Sequence, residues 1–397
     1  MTLSPFPLLF FLLLPLVAVV GSPVVLIPGD GASVLEIKYN KPTVPHWWCA
    51  KSSKNKWQRL WFPDPTELLP KNIDCWSENI RLQYNSTDIN NAPGVEIRAK
   101  PGKEGLELVH GVSKSNVYGT LVAALEDDIT VATYDFRISP AGNPDYLAVQ
   151  LRNMVETIFE QSQTKVTLLT HSLGALFGHY FLTQVVDDEW KAQYIHAWIP
   201  ISPAYGGVIL GLKQLVSGDT TGGIPWLSGK DLKEEQRSYE CSLWLLPSQQ
   251  LYGDQVFVEV RENHKQYTAN DYHELFADSG FTTFNTTWER VKNLTTWMTQ
   301  GQLQDPNVTV HPIYGTGVDT PVKYVYQSST LNQEPAVVTN QDGDGTVCLA
   351  SLQAGNHWLH AQEALIVEGV SHTDILSNQQ AVSRIFQVLS DGASEIT

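Results

Sequence analysis

Residues 165–178 read Lys-Val-Thr-Leu-Leu-Thr-His-Ser-Leu-Gly-Ala-Leu-Phe-Gly. A short β-branched and leucine run passes at once into His171-Ser172-Leu173-Gly174 and then into a helix-like segment. A serine on such a tight strand-to-helix turn projects its hydroxyl above a sheet, and the small residues Gly174, Ala175 and Gly178 let the helix pack close to the strand. Ser172 is therefore the leading nucleophile candidate, and the backbone N–H of Leu173, the next residue, is the natural donor to an oxyanion. Thr170 stands where the usual Gly-x-Ser-x-Gly pattern has its first glycine. An ordinary buried strand-turn-helix is the competing reading, and partners further along the chain decide between the two.

A serine nucleophile of this kind needs an acid and then a histidine downstream. Asn340-Gln341-Asp342-Gly343-Asp344-Gly345-Thr346-Val347 supplies the acid, because glycines on both sides of Asp344 permit a tight loop that presents a carboxylate at a strand end. His372 follows the apolar run Ala364-Leu365-Ile366-Val367 and precedes a final helical segment. In these roles Ser172 attacks a carbonyl, His372 accepts its proton, and Asp344 holds the imidazole and stabilises its charged form. The acidic stretch also reads as a plain turn; a calcium loop lacks its third acidic position and its downstream glutamate. His357 and His360 are alternatives whose spacing suits a metal, yet no Cys or carboxylate cluster completes a ligand set, and serine chemistry requires no cofactor. An early apolar strand, Val24-Val25-Leu26-Ile27, runs into Pro28-Gly29-Asp30-Gly31, and the N–H of Asp30 is the second oxyanion donor expected from such a loop.

The serine-acid-histidine order is that of an α/β-hydrolase, and the chain pattern agrees. Strands at 24–27, 131–135, 165–169, 196–201, 309–314 and 363–367 alternate with helices near 145–160, 173–186 and 376–390, as a mostly parallel, helix-covered sheet requires. A chain of 397 residues with 42% hydrophobic residues buries a large core. We expect a signal peptide over residues 1–22, a retained anchor being the lesser reading, and one domain over 23–397 carrying insertions at about 45–80 and about 208–310. Sequons at Asn85, Asn285, Asn293 and Asn307 fit a secretory route. A net charge of −16 argues against nucleic acid and against broad attraction to anionic lipid, while suiting an acidic compartment where carboxylates partly protonate.

Many collinear blocks carry a resemblance: Pro28-Gly29-Asp30, Lys41-Pro42-Thr43-Val44, Ile73-Asp74-Cys75-Trp76, Tyr134-Asp135-Phe136-Arg137, His171-Ser172-Leu173-Gly174, Gln236-Arg237-Ser238, Trp244-Leu245-Leu246-Pro247, Tyr314-Gly315-Thr316-Gly317-Val318 and Asp342-Gly343-Asp344-Gly345-Thr346-Val347. The chain resembles the lecithin:cholesterol acyltransferase family of α/β-hydrolases, most of all its lysosomal phospholipase branch. The resemblance selects Asp344 over Asp342 as the acid, gives Asp30 a part in the oxyanion site, and implies phospholipase A activity with acyl transfer to a lipid alcohol. It implies a Cys49–Cys75 disulfide closing a cap that docks on a phospholipid membrane surface, and leaves Cys241 and Cys348 without a set partner. Within that cap Trp47, Trp48, Trp57, Trp61, Phe62, Leu68 and Leu69, interleaved with Lys51, Lys54, Lys56 and Arg59, suit a lipid interface; inward packing as a subdomain core is the alternative. The 208–310 insertion reads as a lid with a glycosylated outer face. Leu173, Tyr205 and Phe136 depart from the family pattern, the first two at positions expected near the acyl chain. The implied compartment is the lysosome, with secretion as the alternative. A secreted phosphatidylcholine-sterol acyltransferase, a general esterase or neutral lipase, and a non-catalytic lipid-binding α/β-hydrolase are the rival functions, although the last would be expected to have lost one of the three residues.

Overall fold

The computed structural model describes residues 21–85, 88–106, 109–110, 115–220, 227–297 and 301–393; the apolar core of the expected signal peptide lies outside them. Six strands form the central sheet: β1 (Val24–Ile27), β2 (Ile129–Val131), β3 (Val166–His171), β4 (Ile195–Ile201), β5 (Ile313–Thr316) and β6 (Leu365–Glu368), in the order β6-β5-β4-β3-β1-β2. Every neighbouring pair is parallel, as expected where helices cover both faces. Alternation along the strands feeds two cores. Val25, Ile27, Leu168 and Trp198 join one, with the helix Leu173–Tyr180; Val24, Leu26, Leu169 and Ile199 join the other, with Ile385 and Leu389 of the helix Gln379–Ala393.

Two strands differ from the sequence expectation. The one expected at 131–135 ends at Val131, and Asp135 to Arg137 form a turn closed by the Arg137–Asp135 ion pair. The one expected at 309–314 is broken: Val310 makes an isolated bridge to Trp198, regular pairing resumes at Ile313, and Pro312 between them has no N–H to offer the ladder. A second sheet of four strands, Lys265–Tyr267, Val258–Val260, Thr320–Tyr326 and Val337–Gln341, was not legible in the pattern. It knits residues of the 208–310 insertion to the segment just before Asp344.

In the first insertion the strand Gln58–Trp61 pairs with Leu35–Tyr39, which pairs in turn with Val95–Ala99, and the Trp76 indole of the helix Ile73–Ile80 donates to the Leu60 carbonyl at 3.1 Å. Cys49 and Cys75 are disulfide-bonded, with Cα atoms 5.5 Å apart, and fix the preceding loop to that helix. Cys241 and Cys348 are buried free thiols. Among the described residues no helix is long and apolar enough to cross a membrane.

The helix after β3 reaches its position because Gly174 has no side chain: a methyl group there would collide with the carbonyl oxygens of Ile27 and Pro28. Gly174→Ala should therefore lower stability by about 1–3 kcal/mol in chemical denaturation, since backbone cannot yield as a flexible side chain does.

Candidate active site

Ser172 sits between β3 and its helix at φ 55° and ψ −123°, a conformation L-residues rarely adopt. Its N–H bonds the carbonyl of Ile201 at 3.0 Å, which pins the turn to β4. The N–H of Leu173 opens the helix and has no intrahelical acceptor. Thr170 explains how the first glycine of the pattern is dispensed with: its hydroxyl accepts the Trp198 indole N–H at 3.0 Å, and its methyl packs on Gly178.

The three residues singled out in the sequence meet here. Ser172 Oγ lies 2.8 Å from His372 Nε2, and His372 Nδ1 lies 2.7 Å from Asp344 Oδ2. The other Asp344 oxygen accepts the N–H groups of Val347 at 2.8 Å and Thr346 at 3.1 Å, and its carbonyl accepts the His372 N–H at 2.7 Å. Burial acts to raise the Asp344 pKa, but His372 and these N–H groups outweigh it and hold the carboxyl below its ordinary value. Asp342 does different work. It accepts from the Thr316 hydroxyl at 2.9 Å and the Gly317 N–H at 2.7 Å, tying the acid loop back to the end of β5.

Asp30 follows β1, and glycine at 29 is required because a Cβ there would press on His171 and Ser172 at 3.0 Å. A chain of bonds then joins this loop to the histidine loop. Gly29 N–H donates to the Tyr118 hydroxyl at 2.9 Å, Tyr118 reaches His171 Nδ1 at 2.7 Å, and His171 Nε2 reaches the carbonyl of His372 at 3.0 Å. A carbonyl only accepts, so His171 carries its proton on Nε2 and Tyr118 donates to Nδ1. Sequence reasoning passed over both residues: His171 was visible only as a neighbour of the nucleophile, and nothing marks Tyr118.

Ser172 and His372 open onto a cavity of about 430 Å³. Its apolar wall includes Trp61, Phe62, Leu68, Trp76, Phe136 and Leu232. This corrects the reading of the cap. Trp61, Phe62 and Leu68 face the cavity, Leu68 being buried, and the Trp61 indole donates to the Gly31 carbonyl at 2.6 Å. Trp57 is covered by Lys38 and Arg98, with the guanidinium 4.2 Å from the ring centre. Trp47, Trp48 and Leu69 do point outward, Trp47 being 89% exposed. Tyr205 is likewise not at the cavity; it is buried among His179, Trp198 and Trp358. The side chain of Leu173 is wholly buried in the core. Of the three departures, only Phe136 lines the cavity. His357 and His360 are exposed, away from the site, and no group of three potential metal ligands occurs among the described residues.

A family model described as lecithin:cholesterol acyltransferase matches residues 57–384. The chain belongs to that family. It is similar to a protein of Mus musculus named lysosomal phospholipase A and acyltransferase, 34% identical over 385 residues that cover 92% of this chain and 90% of the other. To a phosphatidylcholine-sterol acyltransferase of Papio anubis it is 32% identical over 384 residues, covering 92% and 84%. A solved structure described as a Tle4–Tli4 complex aligns with a TM-score of 0.57 at 13% identity, covering 94% of this chain and 98% of that one, a likeness of fold. The α/β-hydrolase fold read from the sequence is the fold of the protein.

Asp30, Asp219 and Glu235 line the cavity, and the first and last have raised pKa values. Asp30 is solvent-exposed there, yet the protein around it displaces enough water to push its pKa up to about 6. Burial pushes Glu235 up to about 8. Their ordinary values are 3.8 and 4.5, so these two groups bind more protons in the folded chain between roughly pH 4 and pH 8 and contribute stability that falls as pH rises, while His179 and His311, whose pKa burial lowers from 6.5 to about 4, contribute in the opposite direction up to about pH 6.5. Asp344, shifted the other way, contributes stability that is lost only below the ordinary carboxylate range. On going from about pH 5 to about pH 7.5 the Tm of Glu235→Gln with Asp30→Asn should therefore fall less, or rise more, than that of the unsubstituted chain. Tyr118→Phe, which removes the hydroxyl that accepts from the Gly29 N–H and donates to His171 Nδ1, should cost about 1–3 kcal/mol of stability and lower kcat for ester turnover more than it raises KM.

Proposed function

We propose that the chain is a serine phospholipase A and O-acyltransferase. The observation that carries this reading is a hydrogen-bonded Ser172–His372–Asp344 relay opening directly onto an apolar cavity of about 430 Å³. Ser172 Oγ attacks a fatty acyl ester carbonyl as His372 Nε2 takes its proton, and the N–H groups of Leu173 and Asp30 bind the resulting oxyanion. His372 returns the proton to the departing lysolipid oxygen, leaving an acyl ester on Ser172. Water or a lipid alcohol then attacks in the same way, while Asp344 stabilises the imidazolium in both half-reactions. The family and the mouse relative's name support a phospholipid donor.

The reading extends to the setting. Trp47, Trp48 and Leu69 on the disulfide-closed cap, with Lys51, Lys54, Lys56 and Arg59 exposed around them, form the surface that meets a phospholipid membrane. Residues from about 208 to 310 act as the lid, since Leu210, Leu227, Leu232 and Tyr239 wall the cavity. The asparagines of all four sequons, Asn85, Asn285, Asn293 and Asn307, are exposed, which attachment of glycans requires. A lysosomal destination is supported by the names of the relatives and by carboxyls whose burial is least costly in acid. Secretion is the reading favoured by the phosphatidylcholine-sterol acyltransferase relative.

The test is incubation of the purified chain with phosphatidylcholine vesicles containing a short-chain ceramide or cholesterol, in acidic and neutral buffers, with products identified by mass spectrometry. Acylceramide and free fatty acid in acid bear the reading out. Cholesteryl ester at neutral pH moves it to the secreted branch, and absence of any phospholipid product sinks it. Ser172→Ala and His372→Ala should abolish turnover with an unchanged circular dichroism spectrum. Asp344→Asn should cost on the order of 10⁴-fold in kcat, Asp342→Asn far less; equal losses would overturn the acid assignment. Trp47→Ala should weaken vesicle binding and leave turnover of a soluble short-chain ester in place.

A further inference from the structure

Glu235 is a costly residue for the cavity wall. It lies on the helix Gly229–Gln236, is 3% exposed, and lines the cavity that holds Ser172 and His372. Its Oε2 and the Tyr239 hydroxyl lie within reach of each other, but neither makes a hydrogen bond of good geometry to any described residue. Buried polar groups are almost always paired, and an unpaired carboxyl in an aromatic and aliphatic wall is a standing penalty. Such a group is retained where a ligand completes it.

The position of the carboxyl narrows the ligand. Glu235 lines the same cavity as Ser172, His372 and Asp30, and it is within electrostatic reach of Asp30. Burial favours its neutral form, which offers one O–H donor together with acceptor lone pairs. A fatty acyl chain or a quaternary ammonium uses neither. An ester carbonyl uses the donor alone. An alcohol uses both at once, because a hydroxyl accepts and donates.

We propose that Glu235 binds the hydroxyl of the acyl-accepting lipid alcohol, and so sets how much acyl group is transferred and how much is hydrolysed. The inference rests on the acyl-transfer reading above. In the second half-reaction the bound alcohol oxygen forms the new ester bond to the acyl carbon as the acyl–Ser172 bond breaks. As that bond forms, the hydroxyl proton turns from the Glu235 oxygen to His372 Nε2 and passes from there to Ser172 Oγ, while the Glu235 O–H goes on donating to the alcohol oxygen. Glu235 acts on acceptor binding and takes no part in the proton relay.

The experiment compares the full chain with Glu235→Leu and Glu235→Gln on phosphatidylcholine vesicles containing a short-chain ceramide, reading acylated ceramide and free fatty acid together. Glu235→Leu should lower the ratio of transfer to hydrolysis about tenfold, with a Tm unchanged or higher, because an unpaired polar group has been removed. Glu235→Gln keeps a donor and an acceptor and should hold the ratio within about threefold. The half-saturating ceramide concentration should rise in Glu235→Leu. An unchanged ratio in Glu235→Leu overturns the proposal, as does a parallel fall of both products with a lower Tm, which would make Glu235 structural. Absence of fatty acid release by the unsubstituted chain would instead overturn the acyl-transfer reading itself.

Discussion

The strained backbone of Ser172 is the constraint on which the remaining geometry depends. At φ 55° the chain turns from β3 into its helix within one residue, and this lifts the hydroxyl above the ends of the parallel strands. The turn survives because its surroundings over-determine it: the Ser172 N–H is held by Ile201, Gly29 and Gly174 leave room for their neighbours, and β1 and β4 flank β3 on either side. The loops after β1 and β6 then only have to converge on a fixed point. They do so through one buried run of hydrogen bonds from Gly29 through Tyr118 and His171 to His372.

The insertions are joined to that centre and to each other. Trp61 of the cap holds the Gly31 carbonyl, so the element that carries exposed tryptophans also bears on the oxyanion loop. Arg137, fully buried, pairs with Asp135 and donates to the Ile80 carbonyl at the end of the cap helix, while its own carbonyl accepts the Glu240 N–H from the lid. Leu82 N–H and the Tyr84 hydroxyl bond Ser238 from the other direction. Hydrogen bonds thus join the helix Ile73–Ile80 and the residues just after it to the turn at Arg137 and to the segment Ser238–Glu240.

The sequence was most informative where local chemistry is constrained by backbone geometry. Glycines at 29, 174 and 343 mark places where a side chain would strike backbone or a packed neighbour, and these are the same glycines that made the motifs recognisable. It was least informative where residues of one type have two destinations. Trp47 and Trp61 are the same amino acid in one aromatic-rich stretch, yet one is exposed and the other walls the cavity. The run Lys233-Glu234-Glu235-Gln236-Arg237 is densely charged, but Glu235, Gln236 and Arg237 are buried because the helices Ile73–Ile80 and Leu210–Val216 pack against this segment.

By itself the sequence determined the α/β-hydrolase order of strands and helices, the nucleophile turn, and the serine, acid and histidine with their loops, because period, glycine placement and chain order are local properties of a polymer. Only the tertiary structure decided that Asp342 braces β5 while Asp344 meets His372, that Tyr118 links two distant loops, and that Asp30 and Glu235 line one cavity. Those outcomes depend on which distant segments are brought within hydrogen-bond distance and shut off from water. Burial and proximity are properties of the packed chain, and no stretch of it carries them alone.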